Sequence, residues 1–373
     1  MLIETTRQFS AKCKSECVGI AIASALAVFP AAASELPSLP NNLNAIDMDI
    51  GIGYETQIVL GDLRAHLKGI EYGEKEANAW KQPSVQDLAT FKSAFQALLD
   101  NNTSAAADLL SPLGYGMFEY HDTVTGKLFY VLQEIYPLSD ARSNGGGTYV
   151  YNPSGVSAVL QAPHPMHDLF TATQSIDDFF YTDSKYLMLA GTHRNSNTAL
   201  SSCTNGNYKE SDVAHQTSSY FQSVHESIDE FATPNTVFIQ YHGFGSTTLK
   251  KLQNQCNTTS SKMINVSEGV RYPTNDSSTS FMHALRRQVE SENLIKACIY
   301  GNDTTSLGGT WNVQGRFTNH SSNACQTNAN SSQKRFVHLE QSYSVRKYNR
   351  DDMSRYLKQA MVEYFKTDCD NCM

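Results

Sequence analysis

The chain has 373 residues, with 29 basic against 37 acidic side chains and 40% apolar residues, enough for one large domain or two modest ones with a real core. With 18% charged and 10% aromatic residues, this composition excludes disorder as the main state. A net charge of −8, with no basic cluster stronger than Lys250-Lys251 or Arg286-Arg287, excludes nucleic acid as the partner, because phosphate neutralisation needs a basic face.

At the N-terminus, Arg7, Lys12 and Lys14 precede the apolar run CVGIAIASALAVFPAAA, which ends in small residues at Ala31–Ala33. That layout predicts a secretory signal over residues 1–33, a mature chain from about Ser34, and a secreted or periplasmic location. The run is short for a bilayer span, and no later segment is long and apolar enough to be one, so no stable span is expected after cleavage. Six cysteines follow the signal: Cys203, Cys256, Cys298, Cys325, Cys369 and Cys372. In an oxidising compartment they predict disulfides, whose pairing the sequence leaves open among about 15 arrangements; Cys369 and Cys372 are expected to form a terminal staple. Eight Asn-x-Ser/Thr triplets are only a mild excess over chance and say little about the host.

Ser84 to Asp100 places Val85, Leu88, Phe91, Phe95, Leu98 and Leu99 at helical spacing behind a polar start, which predicts an amphipathic helix. Tyr115–His121 and Lys127–Glu134 flank DTVTG and predict a hairpin. Residues 34–150 thus read as a small α+β segment, with a seam in the Gly/Asn-rich loop at Ser143–Gly147. Beyond 150, strands are expected at 157–162, 186–191, 236–241, 262–266, 296–300 and 336–341. Helices are expected near 176–181, 212–231, 279–292 and 351–365. That alternation predicts an α/β domain over residues 151–373, with helices on both faces of a parallel or mixed sheet. The Asn/Ser/Thr/Gly-rich stretch 302–333 reads as a long surface loop.

In such sheets ligands collect where strands end, so polar residues directly after apolar runs are the informative ones. Four places qualify: APHPMHD (162–168), GTHRN (191–195), QYHGF (240–244) and FVHLEQS (336–342). The first offers His164, His167 and Asp168 from one stiff unit, and His242 at the end of NTVFIQY supplies a third donor from elsewhere. Two imidazoles and a carboxylate are a donor set for hydrolytic zinc, so His164, Asp168 and His242 are the candidate Zn2+ ligands. Glu340 is the candidate base, since a strand interior otherwise excludes a charge, and Arg194 and Arg346 are candidate clamps for a substrate carboxylate. His193 reads as a satisfied polar group. Asp212 or Ser211 is expected to cap the helix that follows; Asp212 or His215 would support a ligand imidazole or the substrate if it reached the site. No GxSxG or HExxH motif is present.

Taken in order, PHPMHD followed by Thr171, then AGTHR, DVAH, QYHGF and HLE resemble the zinc-dependent hydrolases related to N-formylglutamate amidohydrolases and zinc carboxypeptidases, over about residues 155–365. The resemblance implies a three-layer α/β/α fold with a mixed central sheet and cleavage of an amide or peptide bond near a carboxylate. It implies zinc held by His164, Asp168 and His242, with Glu340 as base or acid and Arg194, with Arg346 second, on the substrate carboxylate. Carboxypeptidases carry a Glu three residues after the first His, where this chain has His167; Asp168 keeps a carboxylate one residue later, so either remains open as the second ligand. Two other readings stay open as well: a secreted binding protein that keeps the fold without catalysis, and a metal-dependent esterase or phosphoesterase.

Overall fold

The computed structural model describes residues 55–203, 207–271 and 279–371, apart from the side chains of 367–371. The expected signal segment and the expected Cys369–Cys372 staple lie outside these described parts.

Ten strands form one mixed sheet. They are β1 (Gln57–Gly61), β2 (Tyr115–Asp122), β3 (Leu128–Glu134), β4 (Thr148–Tyr151), β5 (Val156–Ala162), β6 (Ser184–Leu189), β7 (Val237–Phe244), β8 (Met263–Ser267), β9 (Lys296–Ile299) and β10 (Phe336–Ser342). Their spatial order is β1-β2-β3-β4-β6-β5-β7-β10-β8-β9. The central strands β6, β5, β7 and β10 run parallel, while β4 and β8 are antiparallel to their neighbours in that group. The α/β architecture read from the sequence is thus present, and the strands of residues 57–151 continue the same sheet. The Gly-rich loop is bound to that sheet, since the Glu134 carboxylate accepts from the backbone N–H groups of Asn144, Gly145 and Gly146 and from Ser143 Oγ.

Period-two alternation sends neighbouring side chains of each strand to opposite faces. On one face Leu160, Val237, Ile239, Tyr241, Val337 and Leu339 pack against the helices Thr171–Thr182, Phe281–Glu290 and Arg350–Asn371. On the other, Val159, Met188, Phe238 and Phe336 pack against the helices Val85–Leu99, Thr103–Leu110 and Tyr220–Phe231. The expected helix over 85–99 forms, closed at its start by a reciprocal Ser84/Asp87 capping box.

Two local expectations change. The helix expected from Asp212 begins only at Tyr220: Ser219 is its cap, and Asp212 precedes a short 3-10 turn, Val213–His215, without capping it through its side chain. The Gln-Thr-Ser-Ser run at 216–219 explains the delay, because short hydroxyl side chains compete for backbone hydrogen bonds. The stretch 302–333 contains a helix, Val313–Thr318, capped by Asn312. Two disulfides form among the described residues, Cys203–Cys325 and Cys256–Cys298. No helix among the described residues is long and apolar enough to cross a membrane.

Candidate metal centre and its cavity

The chain leaves β5 toward β6 on one side and returns as β7 on the other. This topology opens a crevice at the carboxyl ends of β5 and β7, where doubly wound sheets collect ligands. Into it come residues from several chain segments.

His164 lies between Pro163 and Pro165 just past β5, where the fixed proline φ stiffens the turn. The turn closes through Asp168 N to His164 O at 3.0 Å, and Thr171 N and Oγ1 bond back to Asp168 O at 3.0 and 2.8 Å as the next helix starts. On β7, His242 faces the same side as Gln240; on β10, Glu340 and His338 stand opposite them in register, Glu340 beside His242 and His338 beside Gln240. All of these side chains are buried.

Two groups of potential ligand atoms lie within 4.8 Å of one another: His164/Asp168/His242 and His242/His338/Glu340. Asp168 Oδ2 is 3.1 Å from His164 Nδ1 and 3.4 Å from His242 Nδ1. Donors around a tetrahedral ion with bonds of about 2.1 Å sit about 3.4 Å apart, so this spacing suits a metal. The outer nitrogens are already engaged. His164 Nε2 donates to Asp212 Oδ1 at 2.8 Å and His242 Nε2 to Gln240 Oε1 at 2.7 Å, which leaves both Nδ1 atoms facing Asp168. His167 is exposed, with its ring 6.4 Å from that of His164.

The electrostatics follow from these contacts. Burial opposes charge on Asp168, yet the hydrogen bond from His164 and the adjacent His242 ring hold it well below the usual carboxylate range. Asp212 is held low, against its burial, by His164 and Arg194. His164 is opposed by burial and Arg194, but Asp212 and Asp168 outweigh them and raise it. Burial pushes His242 down to about 4 and His338 well below its ordinary value. Glu340 is pushed up to about 8, first by burial and then by the Asp168 charge. Its Oε2 and His338 Nδ1 are buried without a hydrogen-bond partner, as expected of groups awaiting a ligand.

Beneath the centre, buried amides continue the polar side of the sheet. Gln240 donates to Gln161 Oε1 and Gln314 Oε1 at 3.1 and 3.2 Å, and Gln161 donates to His225 Nδ1 at 2.9 Å. His225, on the helix Tyr220–Phe231, therefore belongs to this network.

Above the centre opens a cavity of about 420 Å³, lined by His164, His242, His338 and Glu340 at its base and by Arg194 among its walls. Arg194 is ion-paired to Asp212, which it shares with His164. Arg346 is not among the lining residues: its Nη1 donates to Leu169 O at 2.7 Å, and it lies against Gly243, where a Cβ would come 2.2 Å from its Cζ. His193 accepts from Asn195 N at 3.0 Å, the satisfied role read for it. His338 was given no role in the sequence reading. Its signal was the same-face pair His338/Glu340, which mirrors Gln240/His242 in the neighbouring strand.

No protein-family model matches the sequence, and no curated protein matches it. Among solved structures, a bacteriophage poly-gamma-glutamate hydrolase is similar over 58% of this chain and 87% of its own, at 15% identity and a TM-score of 0.33.

Proposed function

We propose that the chain is an exported zinc-dependent hydrolase that cleaves an amide or peptide bond beside a carboxylate. The observation that carries this reading is the convergence of His164 Nδ1, His242 Nδ1 and Asp168 Oδ2 beside the unpartnered Glu340 Oε2, at the floor of a cavity walled by Arg194. The donor set fits zinc: two imidazole nitrogens and a carboxylate oxygen, each imidazole held by a partner on its far nitrogen. Bound there, zinc supplies Lewis acidity toward a carbonyl, acidifies water, and by its charge favours ionised Glu340.

The chain's own groups do the rest. Glu340 Oε2 takes the proton of the attacking water and returns it to the nitrogen of the leaving amine. Arg194 presents a guanidinium to the substrate carboxylate, and Asp212 keeps that guanidinium and the His164 ring in place together. Arg346, close enough to Asp168 and Glu340 to interact with both charges, adds positive potential behind them. Two disulfides and the expected signal segment support export.

Elemental analysis of the purified mature protein, alongside turnover of N-acetyl amino acids, tests the reading. About one zinc per chain is expected, lost together with turnover in His164→Ala and in His242→Ala. A well-folded wild type without metal after zinc is supplied would reject it.

A further inference from the structure

One wall of the cavity is unlike its floor. Tyr208, Trp311 and Leu307 line it beside Arg194. Tyr208 stacks on His215 with ring centroids 3.6 Å apart and planes 11° apart, and Trp311 meets Tyr208 edge-on at 6.3 Å and 81°. The two outer rings form a corner. It is braced from behind, because His215 Nδ1 donates to Trp311 O at 3.0 Å. The segments on either side are tied by the Cys203–Cys325 disulfide and by a hydrogen bond from Gln326 Nε2 to Ser202 O. Trp311 is still 37% exposed. A braced aromatic corner open to the cavity gains buried area from an incoming ring at little ordering cost.

Charge narrows what belongs there. Among the described residues that line the cavity, Arg194 is the single Lys or Arg, and Glu340 is on the floor, so these residues can pair one carboxylate. A second carboxylate, such as a glutamate side chain, would lose water against aromatic carbon without a cation to meet it. We propose that the Tyr208/Trp311 corner is the side-chain subsite of the hydrolase, and that it takes an amino-acid residue bearing an aromatic ring next to the carboxylate held by Arg194. The inference rests on the hydrolase reading for the substrate's identity as an amide. The corner itself can be tested without turnover.

Isothermal titration of the full mature chain, supplied with zinc, would compare 3-phenylpropanoate, butanoate and glutarate. 3-Phenylpropanoate is expected to bind at least about tenfold tighter than the other two, a difference near 1.4 kcal/mol. Trp311→Ala is expected to erase that ratio and Trp311→Phe, which retains a ring, to keep most of it; circular dichroism checks that each variant is folded. Equal affinities, a preference for glutarate, no binding of 3-phenylpropanoate, or a ratio that survives Trp311→Ala would each overturn the subsite. Hydrolysis of N-acetylphenylalanine and N-acetylglutamate in the same preparation separates the two ideas. An aromatic preference in binding without any hydrolysis would leave the subsite standing and remove the hydrolase, whereas hydrolysis without that preference would remove the subsite alone.

Discussion

Asp178 and the pair Asp168 and Asp212 are equally buried carboxylates on opposite sides of the sheet, and their surroundings drive them in opposite directions. Asp178 hangs from the helix Thr171–Thr182 into the apolar layer, where its partners are the hydroxyls of Tyr241, at 2.7 Å, and Ser354. Burial pushes its carboxyl up to about 7. Asp168 and Asp212 meet imidazoles and a guanidinium, and are held low despite the same burial. Burial alone neutralises an acid; burial beside cationic or hydrogen-bonding partners preserves its charge. Charge in the sheet's interior is therefore concentrated on one face, at one end of the strands.

The sharpest way to break this division is to damage the apolar side and look for an effect on the other. Ile239→Ala removes a fully buried side chain one residue from Gln240 but on the opposite face. It is expected to cost about 2–5 kcal/mol in urea denaturation while zinc affinity stays at the wild-type value. If affinity falls with stability, the faces are not independent.

Next in size is Asp212→Asn, which keeps an oxygen for His164 Nε2 and removes the charge. Zinc affinity measured by chelator competition is expected to drop about 10–100-fold, and stability to fall as well, because Arg194 and His164 lose their buried counter-charge. Unchanged affinity would show that Asp212 only fills space.

The most gradual effect is a pH slope. Because Asp178 binds its proton more tightly folded than unfolded, its contribution to stability is complete below about pH 4 and is lost as pH rises to about 7, by up to about 1.4 kcal/mol per unit. Asp178→Asn should abolish that part of the slope, so the variant gains on wild type in denaturation midpoints as pH rises from 4.5 to 7.5. A difference constant with pH would mean that Asp178 is ionised throughout.

Much of this layout was legible along the chain because local rules produce it. The strands carry period-two alternation, and His164, Asp168, His242 and Glu340 stand where apolar runs end, so both the sheet and the cluster could be anticipated from composition and spacing. Asp212 was harder, since Ser211-Asp212 before a helical run looks like a cap, and only the late start at Tyr220 frees its carboxylate for His164. His338 and Gln240 are polar residues inside apolar strands, and their meaning depends on which strands become neighbours. The corner of Tyr208 and Trp311 had no local signal at all. It arises from two distant segments, braced near Cys203–Cys325, a pairing that spacing alone does not select.

β10 enters the sheet between β7 and β8, both of which precede it in the chain. During synthesis the His164/Asp168/His242 donors thus emerge well before His338 and Glu340, and the sheet must wait for one of its last segments to fill its own centre. A chain cut short before residue 336 would carry the three proposed metal ligands without the proposed base. For the exported hydrolase proposed above, that order would be a safeguard in time: the capacity to cleave would arrive only when almost the whole polypeptide had been made.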